Sequence, residues 1–207
     1  LYPFCAKKTV VIYHGIVKRK AAKTRARPHR LLFVGRLVPS KGIMPLLKAI
    51  AQIKREGNKV QLDLVGKGAS MYMRYLNQQI QRLGISSEVK LLGFREQSQV
   101  QKMYSAYGAV VMPSLQESFG LVALEALASG VPLVSTRSGG LSEFVNSKVA
   151  QTIPTVKSHA IAKAIKTMWN DREQTDRRVR AGLKLAARFQ WPTAASKYKK
   201  LFKHLPR

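Results

Sequence analysis

Short apolar runs alternate with stretches of helical periodicity along most of the chain. Residues 31–36 (LLFVGR) are apolar up to Gly35 and predict a buried parallel strand. Over residues 42–55, Ile43, Leu46, Leu47, Ile50 and Ile53 fall at helical spacing. Residues 60–65 (VQLDLV) predict a strand ending at Gly66-Lys67-Gly68, and residues 71–83 a helix. A short strand over 89–92 closes at Gly93, and a helix over 97–107 follows. Ala109 to Met112 form an apolar strand stopped by Pro113, and residues 119–128 suit a helix ended by Gly130. Residues 132–135 read as a strand broken by Gly139-Gly140, and helices are predicted over about 157–169, 172–189 and 193–204. Ahead of all this, Thr9-Val10-Val11-Ile12-Tyr13 also reads as a strand.

Strands of four to six residues separated by longer helices predict an α/β fold with a doubly wound parallel sheet. Its crossovers should be right-handed. Ligands of such sheets bind beyond the carboxyl ends of the strands. The residues after each strand are therefore the candidates: Gly35-Arg36, Gly66 to Gly68, Gly93-Phe94, Pro113 to Gly120 and Ser135 to Glu143.

Composition adds a strong charge. Of 207 residues 45% are hydrophobic, enough for a sizeable core, while 37 Lys and Arg against 10 Asp and Glu give 37 − 10 = +27. That balance points to a polyanionic partner: nucleic acid, an anionic membrane surface or a phosphorylated ligand. Residues 18–30 (KRKAAKTRARPHR) are basic throughout and read either as a solvated connector or as a polyanion-binding arm. The single cysteine, Cys5, excludes an internal disulfide framework and favours a reducing, cytosolic compartment. No apolar run approaches the roughly 18 residues of a spanning helix. The chain starts at Leu1 rather than Met and enters directly on an apolar pattern, so it reads as a piece of a longer protein.

Acids are scarce, and Glu117, Glu125 and Glu143 fall in one window, PSLQESFGLVALEALASGVPLVSTRSGGLSE. Either they cap and solvate helices, or they have local chemical tasks. Glu125 stands alone on an otherwise apolar helix, where burial is costly without hydrogen-bond donors such as sugar or ribose hydroxyls. The amides of Phe119, Gly120 and Leu121 would be free at that helix's N-terminus and would favour a phosphate. Arg36 follows a strand and Lys41 opens the next helix, so an anion between them, a diphosphate for instance, would offset the unfavourable Lys. The alternative is that both belong to the general basic background. Gly66-Lys67-Gly68 is half of a dinucleotide fingerprint, or simply a tight turn, and Gly139-Gly140 reads as a turn followed by a helix start. No Cys/His cluster has metal-ligand spacing, and no P-loop or nucleophile elbow occurs. His14, His29, His159 and His204 are scattered and read as surface or turn residues.

In order, Val34-Gly35-Arg36-Leu37, Lys41-Gly42, Val65 to Gly68, Leu92-Gly93-Phe94, Pro113-Ser114, Glu117 to Ala126, Ala128 to Pro132 and Gly139 to Glu143 resemble one family. They are similar to the C-terminal, donor-binding half of retaining glycosyltransferases with the GT-B fold, in the large family 4 group. The resemblance covers about residues 8–204. It implies a Rossmann-like nucleotide-sugar-binding domain over 31–190, an interdomain strand and basic connector over 1–30, and a basic C-terminal helix over 191–207. It also implies that Arg36 and Lys41 grip the donor's diphosphate and stabilise the departing nucleotide, and that Glu125 holds the ribose. Glu117 would lie beside the transferred sugar with the amides from Ser118 to Leu121 near it, and Gly35, Gly66, Gly93 and Phe94 would border the donor. Arg36, Lys41 and Glu117 are thus the candidate catalytic residues. The donor would be a nucleotide-diphosphate sugar used as substrate, with no cofactor and no metal.

The sequence departs from the family at His14, where Asn is common, at Gly108, where Asp is common, and over residues 148–154, which lack the usual Gly. The N-terminal GT-B domain, which would supply the acceptor site, is absent from the 207 residues, so this chain should bind donor but transfer sugar poorly or not at all. The acceptor would be a glycan or lipid-linked molecule in cell-surface polysaccharide synthesis. Lys197, Lys199, Lys200, Lys203 and Arg207 with Tyr198, Leu201, Phe202 and Leu205 make the last helix basic and amphipathic. It either packs with a solvated basic face or rests on an anionic membrane, which would place the protein on the inner membrane face. A nucleic-acid module is the rival reading, but no recognisable reader motif supports a specific nucleic-acid partner.

Overall fold

The computed structural model describes residues 9–17 and 28–203. The first 31–36 run becomes β1 (Arg30–Val34), followed by α1 (Ile43–Arg55), β2 (Gln61–Val65), α2 (Ser70–Arg82) and β3 (Val89–Gly93). Next come α3 (Gln97–Met103), β4 (Ala109–Met112), α4 (Leu121–Ala128), β5 (Leu133–Ser135) and β6 (Gln151–Thr152). The chain closes with α5 (Ser158–Asn170), α6 (Arg172–Ala186) and α7 (Trp191–Lys203).

All six strands are parallel, in the order β3-β2-β1-β4-β5-β6. The order runs outward from β1 to β3 on one side and from β4 to β6 on the other. The switch point therefore lies between β1 and β4. β1, β4 and β5 are apolar because both faces of the sheet are covered. Leu31, Phe33, Leu62, Leu64 and Val111 face a core closed by α1, α2 and α5. Leu32, Val110, Met112 and Leu133 face a second core closed by α3, α4 and α6.

Several expectations change in detail. The predicted 97–107 helix ends at Met103 and passes through a 3-10 turn, Tyr104–Ala106, which drops the Tyr104 side chain fully into the core. The predicted 119–128 helix begins two residues later, because Gly120 adopts the left-handed region (φ 96°) as its N-cap. Gly139–Glu143 forms a 3-10 turn, the 172–189 helix stops at Ala186, and α7 starts at Trp191. β6 has no forerunner in the hydrophobic pattern; its two residues show no apolar run.

The larger correction is at the start. Thr9 to Tyr13 form no strand, and Val10 and Val11 are exposed. No strand lies beside them among the described residues, so their backbone has no ladder to join. The segment attaches instead through Ile16, whose N–H donates to the Phe189 carbonyl (2.7 Å). Of the basic stretch 18–30, residues 18–27 lie outside the described residues, as do Cys5 and His204. Arg30 is no part of a solvated arm: it opens β1 and pairs with Asp63.

Candidate functional site

The loops after β1 and β4 meet over the switch point and enclose a cavity of about 530 Å³. Gly35, Arg36 and Lys41 line it from one side, and Glu117, Ser118, Phe119, Gly120 and Leu121 from the other. Gly42 brings the loops this close, and Gly139 seats the second of them on the turn after β5. Gly42 sits at φ 69°, and a Cβ there would lie 2.0 Å from the Pro113 carbonyl oxygen. Gly139 sits at φ 54°, and a Cβ there would lie 2.2 Å from the Glu117 carbonyl oxygen. A larger residue at Gly42 would push one wall away from the other, and one at Gly139 would push the Glu117 wall off the turn after β5.

The electrostatics of the cavity are lopsided. Arg36 is exposed and forms no ion pair among the described residues. The amides of Phe119, Gly120 and Leu121 at the N-terminus of α4 meet no backbone carbonyl among the described residues. Such amides, with the helix dipole behind them, attract an anion. The Lys41 ammonium donates to Glu117 Oε2 at 2.6 Å, and the Ser114 hydroxyl donates to the same oxygen at 3.2 Å. The unfavourable lysine at the start of α1 is thus met by an acid of the chain itself. Glu117 is not a helix cap; it is an anchored carboxylate on the cavity wall.

Other predicted residues lie elsewhere. Gly66, Gly93 and Phe94 do not line this cavity. They form a neighbouring ledge at the ends of β2 and β3, where the Gly66 N–H donates to the Gly93 carbonyl (2.9 Å). On that ledge Phe94 is exposed, with the Lys67 ammonium 4.6 Å from its ring centre. Glu125 is also off the cavity lining. It is buried, as its apolar helix required, but its donors come from the protein: Gln97 Nε2 and the Tyr104 hydroxyl, each at 2.9 Å. The carboxylate for which the sequence suggested ribose hydroxyls as donors is thus engaged by the chain's own side chains. Glu143 neither caps a helix nor reaches the cavity; its carboxylate pushes the Tyr13 pKa up through a hydrogen bond, with burial adding to the effect.

Sequence reasoning missed His14, which lines the cavity and stands 6.0 Å from the Phe119 ring. Tyr13 stacks on Phe119 (5.6 Å), and Phe119 also touches Phe144 and Phe189. The departure from Asn at position 14 was the one available signal. Among the described residues no three His, Cys, Asp or Glu side chains converge as metal ligands would.

A doubly wound parallel sheet with an anion-attracting cavity at its switch point defines a Rossmann-like ligand-binding domain. Residues 17–185 match the family model described as glycosyl transferases group 1, and the chain belongs to that family. A glycogen synthase of Mycobacterium tuberculosis is 31% identical over 178 residues, covering 85% of this chain and 42% of the relative. A D-inositol 3-phosphate glycosyltransferase of Segniliparus rotundus is 35% identical over 168 residues, covering 79% and 37%. The crystal structure of Anabaena HepE in complex with UDP-glucose superposes with a TM-score of 0.80 at 30% identity, covering 87% of this chain and 50% of that one. The chain thus spans about two-fifths of the length of these curated relatives. Its fold is that of one half of the GT-B glycosyltransferases, as the sequence motifs implied.

Proposed function

We propose that this domain binds a nucleotide-diphosphate sugar as the donor half of a retaining hexosyltransferase. The observation that carries the reading is the convergence of Arg36, Lys41 and the free amides of Phe119 to Leu121 on one cavity at the switch point. Those groups suit a diphosphate: a guanidinium fork, a point charge and a set of fixed N–H donors. Held there, they would stabilise the negative charge that develops on the departing nucleotide diphosphate, the kind of term that dominates many enzymes. HepE is seen with UDP-glucose, and this chain shares its fold at 30% identity, which supports a nucleotide sugar as the ligand. Glu117 would face the transferred sugar. Glu125 would hold the ribose after exchanging the Gln97 amide for ribose hydroxyls. Gly93 and Phe94, on the adjacent ledge, would border the base.

The acceptor, a glycan or lipid-linked molecule of cell-surface polysaccharide synthesis, would be held by a second GT-B domain outside this chain. Alone, the chain would bind donor and transfer little. The reaction would need no metal, and the protein would work in the cytosol. A role at the inner membrane face has one specific support: α7 exposes Trp191, Tyr198 and Phe202 beside its lysines. Described helices are not long and apolar enough to cross a membrane.

The test is calorimetric titration at about 150 mM salt, near physiological ionic strength. The ligands are UDP, GDP, ADP and their sugar conjugates, on wild type, Arg36→Ala and Lys41→Ala. Saturable binding of one nucleotide class, weakened about tenfold or more by either substitution, is expected. Equal weak binding of every diphosphate, indifferent to both substitutions, would overturn the reading.

A further inference from the structure

The cavity contains a contradiction for a site that is to hold a diphosphate. Its cationic wall carries one carboxylate, Glu117, held by two donors, Lys41 and Ser114. The Lys41 and Glu117 side chains are each only 13% exposed, so bulk water screens the pair weakly. Ser114 beneath them is buried, which fixes the carboxylate in place. An anion that reaches Lys41 must therefore bring its charge close to a carboxylate that stays put.

We propose that Glu117 is a charge filter that makes the cavity select a nucleoside diphosphate ester over the free nucleoside diphosphate. This rests on the donor-site reading of the same cavity and adds a specificity to it. A free nucleoside diphosphate ends in a phosphate whose second ionisation lies near pH 6. At neutral pH it carries about one more negative charge than an ester of the same diphosphate, on the terminal group. Glu117 opposes that charge. In the sugar ester the same position holds hydroxyls, and an ionised carboxylate is an acceptor only, so it takes hydrogen bonds from them. One side chain thus disfavours the first ligand and favours the second. The ligand left in the cavity once the sugar has gone is the disfavoured one, so Glu117 also speeds its release.

The experiment compares affinities of the whole chain for UDP, UDP-glucose and the methyl ester of UDP at its terminal phosphate. Proteins are wild type, Glu117→Gln and Glu117→Asp, with GDP and GDP-mannose as a second pair. Glu117→Gln is expected to bind the free diphosphate about tenfold tighter and the sugar ester about tenfold weaker. Glu117→Asp keeps the charge and is expected to keep the wild-type order. Wild type is expected to bind the methyl ester several-fold tighter than UDP, because the ester lacks the terminal charge and carries no sugar. This arm needs no variant to fold. Free-diphosphate affinity unchanged or lowered in Glu117→Gln, or a methyl ester bound no better than UDP, would overturn the filter and leave the donor site standing. Failure of wild type to bind any of the ligands would overturn the donor site and the filter with it.

Discussion

Two ion pairs occupy opposite ends of the same sheet, and both close at 2.6 Å. At the amino end, Arg30 of β1 grips Asp63 of β2. At the carboxyl end, Lys41 grips Glu117. Distance alone does not separate them; their surroundings do. Asp63 Oδ2 receives the Arg30 guanidinium and the Tyr107 hydroxyl (2.6 Å), and the guanidinium lies 4.6 Å from the Tyr107 ring centre. Arg30 borders a separate hollow of about 590 Å³, but neither Asp63 nor Tyr107 lines it. Glu117, by contrast, opens on a cavity that also holds a guanidinium and amides with no partner among the described residues. One pair is a closed clamp between strands; the other is a bound charge with room beside it. A charge pair signals function when unused hydrogen-bonding groups of the same polarity converge next to it.

The contrast breaks most sharply at Asp63. Asp63→Ala leaves Arg30 and the buried Tyr107 hydroxyl without their acceptor, and should cost about 3 to 4 kcal/mol of stability in urea unfolding. Nucleotide affinity of the folded fraction should stay at the wild-type value. If it fell instead, the two ends of the sheet would be coupled. The reciprocal change, Lys41→Met, should lower stability by less, about 2 kcal/mol, because Glu117 keeps its Ser114 donor. Its effect should appear in nucleotide binding, so a large stability loss would make this pair a second clamp.

A third effect lies in alkali. Burial first, and then the hydrogen bond to Asp63, raise the Tyr107 pKa well above its ordinary 10.0. The folded state therefore keeps a proton that the unfolded chain loses. Stability from this group is complete below about pH 10 and falls above it by about 1.4 kcal/mol per pH unit until the folded phenol ionises. Denaturant midpoints between pH 9.5 and 11 should show a shallower decline in Tyr107→Phe than in wild type. Equal slopes would mean that the clamp does not hold the phenol proton.

Much of the fold and half of the site are legible in the residue pattern itself. Strand and helix periods place nearly every element, and the rule that ligands meet the carboxyl ends of strands selects Arg36, Lys41 and Glu117. Their convergence needs only the topology. What stays hidden depends on contacts between distant residues. Glu125 advertises its burial, but its donors, Gln97 and Tyr104, lie 28 and 21 positions away on α3 and the 3-10 turn after it. The ring cluster on Phe119 draws on Tyr13 and Phe189, from the two ends of the described chain. Asp63 stands in plain view inside VQLDLV, yet its role depends on an arginine that the charge pattern assigns to a connector. β6 is defined by its neighbour β5, not by its own residues.

Backbone contact at Gly42 welds the two walls of the cavity to each other, and contact at Gly139 ties the Glu117 wall to the turn after β5. Walls joined this way keep their backbone spacing without a ligand. Time then enters the problem differently. Capture would then be governed by encounter, which the +27 charge accelerates for anions by long-range attraction. The tempo of the domain would then be set by how long a ligand stays.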